Sequence, residues 1–334
     1  MYTCTEGVLP ARLTVVPPFP PIATRLLCCL AREQVEISEL ADLIASDAMF
    51  SGRVLQYANS AEFALREPVR NIRQALMTLG LDRTRRITVT ASTAAYTKAA
   101  LRTKELKRCW QHTLATAVLA EEISRKCGAF VDFAYAAGIM HDIGRLGLLV
   151  AYPDEYERTI RDAADRCLDL LDFEREIFGI DHAEAGRLLA IQWRLPEEFY
   201  VIAGRHHDPC EGSELSLLRI VHVACRLADA LHYDVSRPLV AQTIDQVVEE
   251  LPEYVRRRIV ASAVELRARV EHTIRAFDGE EEIEDAQAAR AAVRVEETDE
   301  EPSTGEAGMQ AGNAGFTASL YRLFLWLYRS IWPN

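Results

Sequence analysis

The sequence predicts an all-α protein: an N-terminal helical subdomain packed on a helical bundle, then an acidic linker and an amphipathic C-terminal helix. Three observations carry this. Apolar residues recur at three- and four-residue intervals through most of the first 277 positions, the period of helices buried on one face. Strand-like runs rich in Val, Ile and Thr are missing, apart from the short patch Ile87-Thr88-Val89-Thr90, which a helical context absorbs. The apolar segments are also punctuated by residues that start and stop helices, with Ser, Asp and Asn before them and Gly and Pro after.

Residues 1–15 read as a lead-in. Val16-Pro17-Pro18-Phe19-Pro20-Pro21 is a stiff, extended entry, because proline fixes φ and restricts its predecessor. A helix over 22–32 places Ile22, Leu26, Leu27 and Leu30 on one face. Ser38 is the expected cap of a helix holding Leu40, Leu43 and Ile44. Asp47 is the expected cap of the next, with Val54, Leu55 and Ala58 inward, until Asn59-Ser60-Ala61 breaks it. Asn71 starts a helix carrying Ile72, Ala75, Leu76 and Leu79, and Gly80 ends it. From Glu105 the helices lengthen. One has Trp110, Leu114, Ala117 and Val118 as its inner stripe and His112 near its start. Residues 130–150 form a helix pair around His141-Asp142, and 168–177 lead to a helix that Asp181 caps, with His182 in its first turn. Pro196 begins a helix reaching His206-His207, and Asp208-Pro209 stops it. A long apolar helix over 215–232 carries Asp229 near its end, and 239–277 add further helices.

The 334 residues suffice for two ordinary domains or one large one with appendages. A net charge of −12 excludes a general nucleic-acid binder, which needs a basic face. The eight cysteines form no CxxC pair and no regular spacing. That pattern fits reduced thiols filling small apolar spaces in a cytoplasmic protein. No basic n-region or apolar h-region opens the chain, so no secretory signal is expected. Residues 278–315, rich in Glu, Asp, Ala and Gly, read as a disordered linker. On a helix over 316–334, Leu320, Leu323, Phe324, Leu327 and Ile331 fill one side, and Arg322 and Arg329 lie on the other. That segment is too short and too charged to span a bilayer. It suits a membrane surface, a groove on a partner, or docking on its own domain.

The chemistry concentrates in Ala137-Gly138-Ile139-Met140-His141-Asp142-Ile143-Gly144, where an imidazole and a carboxylate share an apolar helical run. A buried charge is costly unless it is paired or bound to a metal, so Asp142 needs a cation. His112 upstream, and His182, His206, His207 and Asp229 downstream, offer one or two donors per helical segment. Donors spread this way can converge inside a bundle. Nitrogen and oxygen ligands suit one or two Fe, Mn, Zn or Ni ions. With two ions, a bridging hydroxide could attack a phosphodiester. The bland alternative is a hydrogen-bonded pair of core residues ending a helix before Gly144.

The order of these pieces resembles the HD superfamily of metal-dependent phosphohydrolases, and residues 16–235 are similar to its regulatory branch, the HDOD family. The parts that carry the resemblance are Pro17-Pro18-Phe19-Pro20, Leu40-Ala41-Asp42-Leu43-Ile44-Ala45-Ser46-Asp47, Ala58-Asn59-Ser60-Ala61 and Ala75-Leu76-Met77-Thr78-Leu79-Gly80. They continue with Trp110-Gln111-His112, the His141-Asp142 run, His182-Ala183-Glu184-Ala185-Gly186, Trp193-Arg194-Leu195-Pro196, His206-His207 and Ala228-Asp229. The resemblance implies an HDOD-like domain over 16–277, made of an N-terminal subdomain (16–104), an HD-like bundle (105–235) and a helical extension (236–277). Carried over from the related HD-GYP phosphodiesterases, which hydrolyse cyclic di-GMP, the metal ligands are His112, His141, Asp142, His182, His206, His207 and Asp229. Arg145 takes the place of their phosphate-binding lysine. Two departures stand out: no Gly-Tyr-Pro segment follows His206-His207, and Arg108 stands where some of those enzymes place an extra metal-binding Glu.

The expected function is that of a bacterial signal-transduction protein. Its HD-like, metal-binding bundle would act through signalling partners in the cytoplasm or at the inner face of the membrane. The alternatives are a metal-dependent phosphohydrolase acting on a nucleotide and a membrane-attached adaptor whose bundle is only structural.

Overall fold

Helices supply all the regular structure of the described residues, which in the computed structural model are 9–14, 16, 21–30, 36–59, 68–97, 103–210, 214–236 and 240–275. Six come first: α1 (Ala11–Thr14), α2 (Pro21–Leu30), α3 (Ile37–Ala45), α4 (Ala48–Ala58), α5 (Ile72–Leu79) and α6 (Leu81–Thr97). Then follow α7 (Lys104–Cys127), α8 (Val131–Met140), α9 (Ile143–Ala151), α10 (Pro153–Arg166), α11 (Leu170–Phe178) and α12 (His182–Gln192). The last are α13 (Glu197–Arg205), α14 (Leu217–Ala230), α15 (Ile244–Val247) and α16 (Glu253–Ala261), with a further helical run over 263–275. All of them belong to one compact unit, Met1–Gly279. The linker and tail helix expected over 278–334, with Leu320, Arg322, Leu323, Phe324, Leu327, Arg329 and Ile331, lie outside the described residues, as do Pro17 to Pro20. Among the described residues no helix is long and apolar enough to cross a membrane.

The caps read from sequence are largely in place. Asp47 accepts from Phe50 N–H at 3.1 Å, Asn71 from Gln74 N–H at 2.8 Å, and Asp181 from Glu184 N–H at 2.8 Å. Ser38 does not cap α3. The helix starts two residues earlier than that cap implies, at Ile37, because the carbonyl of Glu36 already accepts from Leu40 N–H. The β-branched patch 87–90 lies inside α6. There Thr88 and Thr93 donate their hydroxyls to carbonyls one turn back, and Thr90 meets the hydroxyl of Tyr135 at 2.9 Å.

The long helix α7 is the axis of the core. It is buried almost continuously from Cys109 to Ser124, between α8 on one side and α14 on the other. Gly138 on α8 lets the two backbones touch: a Cβ there would stand 2.5 Å from Ala117 Cα. Across the molecule, α12 packs against α9 and α13. That contact also depends on a glycine, since a Cβ on Gly144 would collide with the carbonyl oxygen of His182. The second close approach draws the start of α12 onto the junction between α8 and α9.

Candidate metal centre

That junction is His141-Asp142. His141 ends α8 and Asp142 precedes α9, both within 1% of complete burial. The other donors arrive largely at helix ends too: His182 is the first residue of α12, and His206 and His207 follow α13. Only His112 on α7 and Asp229 on α14 come from within helices.

Each of four rings has one nitrogen tied up by an acceptor. His141 Nδ1 lies 2.6 Å from the Gly138 carbonyl, His206 Nδ1 2.9 Å from that of Ala203, and His112 Nδ1 3.0 Å from that of Tyr233. His182 Nδ1 lies 2.6 Å from Glu174 Oε2, which also accepts from the backbone N–H of His182 at 2.7 Å. A carbonyl or carboxylate only accepts, so in the neutral ring Nδ1 carries the proton and Nε2 keeps its lone pair. In their neutral forms the four rings therefore turn Nε2 toward one another, in the arrangement that orients metal-ligating histidines.

They converge on Asp142, in two groups. His112 and His141 Nε2 lie 3.8 and 3.5 Å from Asp142 Oδ2, and 3.4 Å from each other. His182 and His206 Nε2 each lie 3.5 Å from Asp142 Oδ1. His207 Nε2 adds to the second group, 2.9 Å from His182 Nε2. Ligands held at about 2.1 Å in tetrahedral array stand about 3.4 Å apart, so the spacings fit a metal. Asp142 Oδ1 and His206 Nε2 are buried atoms without a hydrogen-bond partner in the protein. The donor set suits a divalent cation, which when bound would supply a Lewis acid and an activated water.

Arg145 closes the site from behind. Its Nε donates to Asp142 Oδ2 at 2.9 Å, and its Nη1 lies 3.4 Å from Tyr156 Oη and 3.7 Å from Glu174 Oε1. Tyr156 Oη donates to Glu174 Oε1 at 2.7 Å. Burial pushes the Asp142 carboxyl up, but the Arg145 guanidinium and the surrounding imidazoles outweigh it and hold the group well below the usual carboxylate range. Arg145 is shared between Asp142 and Glu174, and it leaves Asp142 Oδ1 without a hydrogen-bond partner in the protein, an oxygen that a bound cation would satisfy.

Of the seven ligands expected from sequence, six stand around Asp142 or are Asp142 itself. Asp229 lies on the outer side of His112, its Oδ1 3.4 Å from Nδ1. Arg145, expected at a phosphate, is buried against Asp142 while its edge reaches a cavity of about 150 Å³ beside His112, His182 and His207. Arg108 pairs with Asp234 at 2.9 Å. Sequence reasoning missed Glu174, Tyr156 and Cys225. Glu174 stands in the acidic, amphipathic α11 and Tyr156 in α10, where each looks like a surface-helix residue; Cys225 looks like an apolar filler.

A buried His/Asp centre assembled from helix ends defines an HD-type bundle. The HDOD domain matches residues 16–209, more than half of the chain, and the chain belongs to the HDOD family. A protein of Treponema pallidum (strain Nichols), itself uncharacterised, is 23% identical over 199 residues, which cover 59% of this chain and 38% of that relative's length. An HDOD domain protein of unknown function from Geobacter sulfurreducens superposes with a TM-score of 0.65 at 24% identity, covering 77% of this chain and 93% of its own. A "Putative phosphohydrolase" from Shewanella amazonensis SB2B gives 0.60 at 20% identity, over 80% of this chain and 100% of its own. A "Putative signal transduction protein" from Marinobacter aquaeolei VT8 gives 0.62 at 21%, over 80% and 60%. At these identities the likeness to the solved structures is one of fold.

Proposed function

We propose that this chain is a bacterial signalling protein whose HDOD bundle binds a divalent cation at the His/Asp centre and acts on protein partners. The observation that carries the metal is the facing pair Asp142 Oδ1 and His206 Nε2, buried 3.5 Å apart with neither atom in a hydrogen bond within the protein. Two further features favour regulation over turnover. Arg145 is engaged with Asp142, Tyr156 and Glu174, so a substrate phosphate would have to compete for it. The adjoining cavity of about 150 Å³ is smaller than the roughly 300–1,000 Å³ of ordinary ligand pockets. The name of the Marinobacter neighbour points the same way.

Metal analysis of protein purified without chelators tests the cation: one or two equivalents of Fe, Mn, Zn or Ni are expected, and their absence would remove this reading. A hydrolysis screen over nucleotides and cyclic dinucleotides tests the regulatory half. The second reading, a phosphohydrolase, draws on the fact that the same cavity could admit a single phosphate group beside His182 and His207. Metal-dependent turnover that vanishes in His141→Ala would establish it over the first.

A further inference from the structure

We propose that Cys225 is a thiolate ligand of this centre, completing with His112 and His141 a half-site of two nitrogens and one sulfur that prefers zinc- or iron-class cations to magnesium. The inference rests on the metal reading above and adds a ligand to it. Cys225 Sγ and one ring nitrogen each of His112 and His141 lie mutually within 4.8 Å, and all three residues are buried. The Sγ stands 3.5 Å from His112 Nε2. Zinc–sulfur and zinc–nitrogen bonds of about 2.3 and 2.1 Å at a tetrahedral angle put the two donors about 3.6 Å apart. The sulfur is thus already at ligand spacing.

The helix explains why it is there. Cys225 and Asp229 are one turn apart on α14 and share a face, and they bracket the His112 ring from opposite sides: sulfur at Nε2, carboxylate at Nδ1. In this placement the carboxylate sits behind the ring, and the sulfur sits on the side that faces His141 and Asp142. Charge supports the same assignment. Asp142 Oδ2, the oxygen nearest this half-site, already accepts from Arg145. A cation between His112 and His141 therefore gains from a negative ligand of its own. A bound thiol is deprotonated, so the S–H bond is exchanged for a metal–sulfur bond and the proton leaves to solvent. Thiolate shifts a site away from hard, oxygen-seeking ions.

Cobalt(II) is the probe, because thiolate coordination gives it an intense sulfur-to-cobalt charge-transfer band in the near ultraviolet. Cobalt-loaded wild-type protein is expected to show the band. Cys225→Ser should lose it and bind cobalt at this half-site about 100-fold or more weakly, beyond the 10–100-fold typical of losing a residue that only orients a ligand. A measurement on the wild type covers the case in which the variant misfolds: peptide-resolved alkylation of Cys225 should be slower with zinc bound than after chelation. Cobalt binding without the band, or equal alkylation rates in zinc-loaded and chelated protein, would overturn the thiolate ligand and leave the metal centre standing. No cobalt bound by either protein would overturn both.

Discussion

At the residue scale the centre is an unequal exchange of charges. Asp142 faces Arg145 at 2.9 Å with both nearly excluded from solvent, so neither can be removed cleanly. Asp142→Ala strands the guanidinium and should cost about 3–5 kcal/mol in denaturant titrations, together with the bound metal. Replacing both members, Asp142→Asn with Arg145→Met, should recover much of that stability and none of the metal. Recovery of metal by the double variant would show that Asp142 is not a ligand. The histidines set a pH dependence. Burial, offset in part by Asp142, holds His141 well below the usual value of 6.5 and His206 below it. Near that pH the unfolded chain takes up protons that the folded chain refuses. His112 opposes them: burial pushes its pKa down, but Cys225 and Asp229 raise it well above the usual value, so its contribution is present below about pH 6.5 and is lost as pH rises through its folded-state pKa. With that ring removed, chelator-treated His112→Gln protein should be fully stable above about pH 6.5 and decline below it; a melting temperature of this variant unchanged between about pH 7.5 and 5.5 would contradict this. The need of Asp142 for a cation was legible in the sequence, because a carboxylate in an apolar run has few other fates. That Arg145 would meet part of this need was not, since an arginine three residues on looks equally well like a phosphate ligand. Glu174 was hidden for a related reason: an acidic residue in an amphipathic helix normally faces water, and only the docking of His182 above it makes it a buried acceptor.

At the element scale, two glycines in helices should respond oppositely to alanine. Gly144 presses on the His182 carbonyl and the Gly186 amide, so a methyl group must wedge α9 from α12. Gly144→Ala should destabilise by about 1–3 kcal/mol and lower metal affinity, because His182 and Asp142 move apart. Gly52 in α4 is exposed with open space around its Cβ position. Gly52→Ala should stabilise by about 0.5–1 kcal/mol. Equal effects at both sites would show that the α9–α12 approach is not tight. Helix identity was readable nearly throughout, since period, caps and breakers agree, and even 87–90 yielded, with Thr88 bonding back along α6 and Thr90 meeting Tyr135. The start of α3 was misplaced because Ser38 is a good cap by type, whereas the helix takes its first hydrogen bond from the Glu36 backbone. Packing angles were beyond reach, as they follow from close approaches such as those at Gly138 and Gly144.

At the scale of the whole molecule, the core runs unbroken from α1 to beyond α16. A chain ending at Gly279 should therefore melt at the temperature of the full chain with the same metal content; a loss of several degrees would mean that residues 280–334 contribute to the fold. Vesicle co-sedimentation of the full chain beside one ending at Gly315 tests the tail. Stronger partitioning of the full chain onto anionic lipid is expected, with Arg322 and Arg329 each adding about 1 kcal/mol, and equal partitioning would discard the membrane role. The same continuity gives α1 an awkward birth. Leu13 is fully buried, Arg12 lies over the Tyr152 ring at 4.2 Å, and its guanidinium donates to Glu155, 143 residues further along the chain. At a synthesis rate of about 5–20 residues per second, the ribosome needs roughly 7 to 30 seconds between making this helix and making its seat. For that interval the helix waits without its partner, and it docks only after the helices that carry the histidines have begun to emerge.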